Sequence, residues 1–490
     1  MWITKLNPIT RVFRNQRKAH QISIPRLRPG KRSIIGYNLM ALVLNLLIMA
    51  CSNTAESDSA LVTEAPTENS RLIIVWDKGY VLEEDEAIEQ IVRDWEEKSG
   101  VDVKLSFYNA GEIAPKTLRA SQAGIPPDIL FAAKSVYPIS DWKDKLADVS
   151  DVVKPIEDLY SLNALQAAKI YGNLDNTQRY YATPLNQATT HIFYWKDLLA
   201  QAGYNPADIP RDWDGFWQFW KTVQDTLRSQ PGLNQIYGIG LPLSGRASDT
   251  YRIFEHVLEA YDVQILDAQG ELLVDQFDVR QGVIKCLDWY VQHYQQAYVP
   301  PQAVDWLDPD NNRNLLDRMV VMTPNPTLSI PAAVRNDPDT YLNKLGTIEF
   351  PNQPNGEPTP HLVDLRQAIV FKDSPNQAAA KDFLSYLSQP DVLGGFLKSA
   401  YGRFLPVTTQ LKDDPFWSDP ADPHISTVTK TLTEGVTKPY YNDLILVYGV
   451  VMEENIWGQA INQMAVEGIS AEQAADQAIE QIKQIFDQWR

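Results

Sequence analysis

"RLIIVWDKGY", residues 71–80, continuing into "VLEEDEAIEQIVRDWEEKSGVDVKLSFYNAG", residues 81–111, decides the fold class. Leu72–Trp76 is a run of five apolar residues, suited to a fully buried strand, and it stops at Asp77-Lys78-Gly79-Tyr80. Over Glu83–Lys98 the residues Ala87, Ile88, Ile91, Val92 and Trp95 recur at helical spacing, which predicts a helix. Its first turn holds Glu83, Glu84, Asp85 and Glu86, acids that suit the positive end of a helix. Gly100 ends it. Val101–Phe107 alternates as a second strand, Ala114–Ala123 reads as a short helix broken by "GIPPD", and Ile129–Ala132 as a third strand. The order is βαβαβ, whose crossovers are right-handed. It predicts an α/β fold with a mostly parallel sheet flanked by helices on both faces.

That topology points to a site. In open α/β sheets, ligands bind beyond the carboxyl ends of the strands. Trp76, Asp77 and Tyr80 follow the first strand, Tyr108 and Asn109 the second, and Ala133 and Lys134 the third. All should line one crevice. Trp76 taken alone fits a cap on the core equally well.

The chain has 490 residues, more than one ordinary core holds, so two or three domains are expected. Composition is globular, with 44% hydrophobic and 22% charged residues. The net charge is −18, unevenly spread: residues 1–51 carry nine Lys/Arg and no acid, leaving 35 basic against 62 acidic residues in the remainder. An acidic body argues against nucleic acid and anionic lipid as partners and suits solubility. Lys31-Arg32 precede Ile34–Ala50, 17 residues without a charge, the pattern of a secretory signal peptide over residues 1–50. "IMACS", 48–52, looks like a bacterial lipobox with Cys51 as the lipidated residue, and 51–70 reads as a polar, disordered tether. With Cys51 lipidated, Cys286 has no disulfide partner; inside "VIKCLDWYV" it reads as packed core.

No enzyme signature is present: no Gly-x-x-x-x-Gly-Lys-Ser/Thr, His-Glu-x-x-His, Cys-x-x-Cys or Gly-x-Ser-x-Gly. The six histidines are no closer than 37 residues, so no local metal-ligand spacing exists. Acidic pairs such as Glu83-Glu84, Asp413-Asp414 and Glu453-Glu454 suit solvated helix faces, although a glycosidase would need two carboxylates. Aromatics carry more: 13 Trp and 22 Tyr. A pyranose offers an apolar C–H face to a ring and a rim of hydroxyls to Asp, Asn and Arg.

The middle of the chain is "YYATPLNQATTHIFYWKDLLAQAG", 180–203, then "IPRDWDGFWQFWKTVQDTL", 209–227. Thr183–Tyr194 reads as one extended strand, Lys196–Ala202 as a helix stopped by Gly203, and Asp212 as the N-cap of a helix with Phe216, Phe219, Trp220, Val223 and Leu227 inward. Trp213 fits core or site; Trp217 and Trp220 fit core. This run resembles the family 1 extracellular solute-binding proteins of ABC importers, the maltodextrin- and sugar-binding proteins. The matching residues are Tyr181-Ala182-Thr183-Pro184, Tyr194-Trp195, Ala202-Gly203 and Pro210–Phe216, with Trp195 in place of the usual Asn. "PPDIL", 126–130, "RMVVMTPNP", 318–326, and "AIVFKDSPNQAAAKDFLSYLSQPDVLGGFLKSAYGRFLPV", 368–407, extend the resemblance in the family's order.

The resemblance implies a two-lobed clamshell, periplasmic-binding-protein-like and of type II, with several hinge crossovers. Lobe one takes 71–185 plus 346–404, lobe two 186–345 plus 405–490, and the Pro-rich 351–361 is a surface loop near the hinge. The implied function is capture of a sugar, oligosaccharide or polyol between the lobes, with no cofactor, no metal and no catalysis. Delivery is to the membrane subunits of an ABC permease by a monomer lipid-anchored in the cell envelope. To the crevice residues already named it adds Asn186, Trp306, Asn325 and Arg403. A polyamine or phosphorylated glycerol as ligand is the alternative, followed by a lipid-anchored glycosidase.

Overall fold

In the computed structural model, β1 (Leu72–Asp77) pairs in parallel with β2 (Val103–Tyr108) on one side and β3 (Ile129–Ala132) on the other. The structure describes residues 71–132, 145–170, 179–409 and 413–489. The leader, Cys51, the tether, Ala133 and Lys134 lie outside the described residues. The helix between β1 and β2 runs Leu82–Ser99 and buries Ile88, Ile91, Val92 and Trp95; Gly100 closes it at φ 69°. That positive φ is the left-handed turn only glycine adopts without strain. The helix before β3 is Ala110–Gln122, longer than the sequence suggests. β1 is not buried throughout: Ile73 is 38% exposed.

The expected single strand from Thr183 to Tyr194 is two. β4 (Thr183–Thr189) pairs with β9 (His361–Val370) and β10 (Leu405–Pro406), whereas β5 (His191–Trp195) pairs with β7 (Val320–Asn325) and β8 (Leu345–Ile348). The chain therefore passes from one sheet to the other at Thr190. It returns through the Pro-rich connection before β9. The first sheet has the order β10-β4-β9-β3-β1-β2, with β11 (Thr437–Pro439) added against β9. The second has the order β6-β7-β5-β8, where β6 is Tyr237–Ile239.

Both sheets are mixed rather than mostly parallel. β9 arrives from the opposite sheet instead of over a helical crossover, so it enters antiparallel to β3 and β4. In the second sheet β5 lies antiparallel to both neighbours, and only β6 and β7 are parallel. The helix Trp213–Arg228 is capped by Asp212, whose carboxylate accepts from Gly215 N at 2.8 Å. Trp213 and Trp217 pack on Trp289 with ring centroids 5.1 and 4.9 Å apart, so these tryptophans belong to the core. Cys286 is buried, and burial raises its thiol far above the usual range, which leaves it inert.

Candidate ligand-binding crevice

The register places several charged side chains at one edge. Ala132, the last residue of β3, pairs with Gln367, so Arg366 lies one step past that strand end. Asp77 closes β1 at the same edge. Arg366 Nη1 stands 3.4 Å from Asp77 Oδ2, and its Nε 3.4 Å from Asp364 Oδ2. Asp364 continues to Arg252 Nη1 at 2.7 Å, on the helix Ser248–Ala260 that packs against β7 of the second sheet. Burial lowers Arg366, opposed by Asp364 and Asp77. Burial likewise raises Asp249 and Asp443 well above the carboxylate range, which favours their neutral forms.

A second set surrounds the loop after β1. Gly79 N donates to Asp85 Oδ1 at 2.7 Å, and Tyr80 N to Glu84 Oε2 at 3.3 Å. A Cβ on Gly79 would sit 2.8 Å from Glu84 Cβ, so the loop closes this tightly only with glycine there. Glu84 pairs with Arg403 Nη1 at 2.7 Å. Phe404 lies between two guanidiniums, that of Arg366 at 4.2 Å from its ring centre and that of Arg403 at 4.6 Å. Burial raises the Tyr80 hydroxyl, and Asn312 acts against it.

These elements bound a groove of about 460 Å³, within the roughly 300–1,000 Å³ of small-molecule sites. Tyr80, Glu83 and Tyr401 line it from the first-sheet side, and Arg313, Ala332 and Asn336 from the second. Tyr401 OH bridges the two, donating to Glu83 Oε1 at 2.9 Å and accepting from Asn336 Nδ2 at 3.1 Å.

The residues named from sequence fall in different places. Tyr80 lines the groove; Asp77 and Arg403 are in the charged network beside it. Asn325 is buried behind the groove, accepting from Asn311 Nδ2 at 3.1 Å and donating to Ser329 Oγ at 3.0 Å. Asn186 is buried opposite Arg366 in the β4–β9 register, and its Oδ1 has no partner among the described residues. Trp76 is 1% exposed, stacked on Phe131 at 4.1 Å and edge-on to Phe396 at 6.2 Å. Trp306 is buried away from the groove lining. Tyr108 lies at the end of edge strand β2, under the Lys116 ammonium at 4.1 Å, and Asn109 is exposed beside it. Sequence reasoning misses Asp364, Arg366, Arg252 and Asn312. For the first two a signal exists: opposite charges two apart in "HLVDLRQAIV", an otherwise apolar strand, share one face.

Comparison with known proteins gives the family and the fold. The chain belongs to the bacterial extracellular solute-binding proteins, whose sequence profile it matches over residues 90–427. Membership makes it an extracytoplasmic binding protein of the transport class. The putative ABC transporter periplasmic-binding protein YcjN of Escherichia coli K12 is 21% identical over 365 residues, covering 74% of this chain and 79% of that protein. A solute-binding protein from Thermotoga lettingae, solved with bound α-D-tagatose, superposes with TM-score 0.69 at 20% identity over 85% of this chain and 99% of its own. Maltose-bound MalE3 of T. maritima gives 0.68 at 17% identity, with 84% and 99% covered. A sugar transporter from Arthrobacter chlorophenolicus with bound laminaribiose gives 0.67 at 13%, with 84% and 99% covered. These likenesses establish the two-lobed clamshell fold. Among the described residues, no helix is long and apolar enough to cross a membrane.

Proposed function

We propose that this protein captures a neutral saccharide or polyol between its lobes and delivers it to the membrane subunits of an ABC importer. One observation carries the choice of ligand. The charged groups of the crevice are already matched with one another: Asp77, Arg366, Asp364 and Arg252 in one chain, Glu84 with Arg403 in another. A charged ligand competes with these ion pairs, and a stranded buried charge is expensive. Neutral acceptors stand unmatched beside them, the amide oxygens of Asn186 and Asn312. Hydroxyls satisfy such acceptors. The tagatose, maltose and laminaribiose bound by the structural neighbours support the same class.

The ligand-contacting set is Asp77, Tyr80 and Arg403, with Asn186 reached from the first sheet, and Asn325 supports it from behind by holding Ser329. Trp76 backs the crevice from the core, while Tyr108, Asn109 and Trp306 are not among the residues that line it. Strand pairing supports a first hinge crossing at Thr190 and the addition of β10 and β11 to lobe one. Ligand bridging both lobes favours the closed state, which the permease then recognises. No reaction is required. Cys51 supplies the lipid anchor, and the protein acts as a monomer. A thermal-shift screen tests the reading: maltose, laminaribiose or tagatose raises the melting temperature in a concentration-dependent way, and a screen in which none does so contradicts it.

A further inference from the structure

Asn312 lies in the helix Asp310–Leu316 on the second-sheet wall and is 4% exposed. Its Nδ2 donates to Ser329 Oγ at 3.0 Å, and that hydroxyl is held in turn by Asn325 Nδ2 and Thr327 Oγ1, each at 3.0 Å. Those bonds fix the plane of the amide. Its Oδ1 has no partner among the described residues, and the next residue in the helix, Arg313, lines the groove with Tyr80.

Arg403 is held with similar firmness on the other wall. Nη1 is bonded to Glu84, and the backbone oxygen accepts from Leu328 N at 3.2 Å. The guanidinium carbon stands 5.8 Å from the centre of the Tyr80 ring. Its Nε has no partner among the described residues. An unspent donor beside the Tyr80 ring on one wall is thus matched by an unspent acceptor next to Arg313 on the other.

Ligand classes differ in how they meet such a pair. A phosphate or carboxylate accepts from Arg403 Nε but has no proton for Asn312 Oδ1. An ammonium donates to Asn312 but cannot accept from Arg403. A hydroxyl does either. We propose that Asn312 and Arg403 together determine specificity, with one ligand hydroxyl donating to Asn312 Oδ1 and another accepting from Arg403 Nε. The class admitted is a saccharide with both hydroxyls free, and forms deoxygenated or O-methylated at either are rejected. This rests on the saccharide reading above and adds Asn312 to it. Sites built to bond a hydroxyl discriminate strongly against analogues that lack it, because a buried polar group is then left unpaired.

The test is calorimetric titration of maltose, laminaribiose and tagatose into the wild type, Asn312→Ala and Asn312→Ser, with monodeoxy derivatives of the tightest binder titrated into all three. The expected result is about a tenfold or greater loss of affinity in Asn312→Ala. At least one monodeoxy derivative should be rejected by the wild type yet bound by Asn312→Ala as well as its parent. Asn312→Ala binding within about twofold of the wild type overturns the inference and leaves the saccharide reading intact. If neither variant folds, the wild-type series decides alone, and a series in which no deoxygenation weakens binding overturns it. Failure of the wild type to bind any of the three sugars contradicts the saccharide reading itself.

Discussion

Arg252 and Asp364 meet at 2.7 Å with 4% and 2% of their side chains exposed, one on a helix packed against the second sheet and the other on β9 of the first. The pair ties the two halves of the crevice together. Asp364 is also the partner of Arg366, so removing its carboxylate breaks two buried ion pairs at once and leaves Arg366 with Asp77. Breaking one partner of a buried pair costs about 3–5 kcal/mol. Asp364→Ala should therefore lower the denaturation midpoint by that order, read by urea unfolding. A shift no larger than that of an exposed Asp→Ala control would contradict the pairing.

The hinge crossings carry a pH dependence. His191 begins β5, and His361 begins β9 with its ring 5.8 Å from that of His191. His256 Nε2 accepts from Leu362 N at 3.3 Å, so its proton resides on Nδ1. Burial, reinforced by His361, lowers His191 to about 4 and His256 to about 3. An unfolded imidazole titrates near 6.5, so below that pH the unfolded chain binds more protons than the folded one. The stability these rings allow is complete above about pH 6.5 and is lost as the pH falls toward 4 and 3, at up to ~1.4 kcal/mol per unit for each ring. Unfolding midpoints measured from pH 7 to 4.5 should fall, and His256→Gln, which keeps an acceptor for Leu362 N, should flatten the decline. An unaltered slope in that variant would argue against His256 as a source.

Glu255 contributes with the opposite sign. Burial raises it to about 8, opposed by the Tyr251 hydroxyl, which donates to Oε1 at 2.8 Å. Its folded form holds a proton that the unfolded chain releases near 4.5, so its favourable contribution is present at low pH and is lost as the pH rises through 8. Glu255→Gln is predicted to match the wild type near pH 5 and to exceed it in thermal stability near pH 8.5. Equal stability of the two proteins at both values would show that Glu255 titrates normally.

Trp76 tests core against crevice. Stacked on Phe131 and edge-on to Phe396, it has almost no surface left for a ligand in this conformation. Trp76→Ala should cost about 3–5 kcal/mol of stability, while the affinity per folded molecule changes little. A large loss of saccharide affinity at unchanged stability would move Trp76 to the ligand face.

Local rules were enough for the elements that carry their own signals. The apolar spacing of the helix Leu82–Ser99, its stop at Gly100 and the cap at Asp212 are all short-range chemistry. The break at Thr190 was not legible, because residues 183–194 are extended throughout; only their partners differ, and partners are chosen by distant strands. Arg252 and Asp249 escaped notice for a related reason. Within the helix Ser248–Ala260 everything after Ser248 is buried, so no exposed face marks these charges as unusual. They are tolerated only because β9 brings Asp364 and Arg366 to them from more than a hundred residues away. Asn312, likewise, is one amide in "DPDNNRN" until Ser329 fixes it next to the groove residue Arg313.

Titration of the purified protein with maltose, laminaribiose, tagatose, glycerol 3-phosphate and spermidine at low and high salt decides whether the crevice closes on an uncharged guest. Saturable heat with at least one sugar, its affinity unchanged by salt, is the predicted outcome. Binding confined to the phosphate ester or the polyamine, and weakening as salt is added, would contradict it.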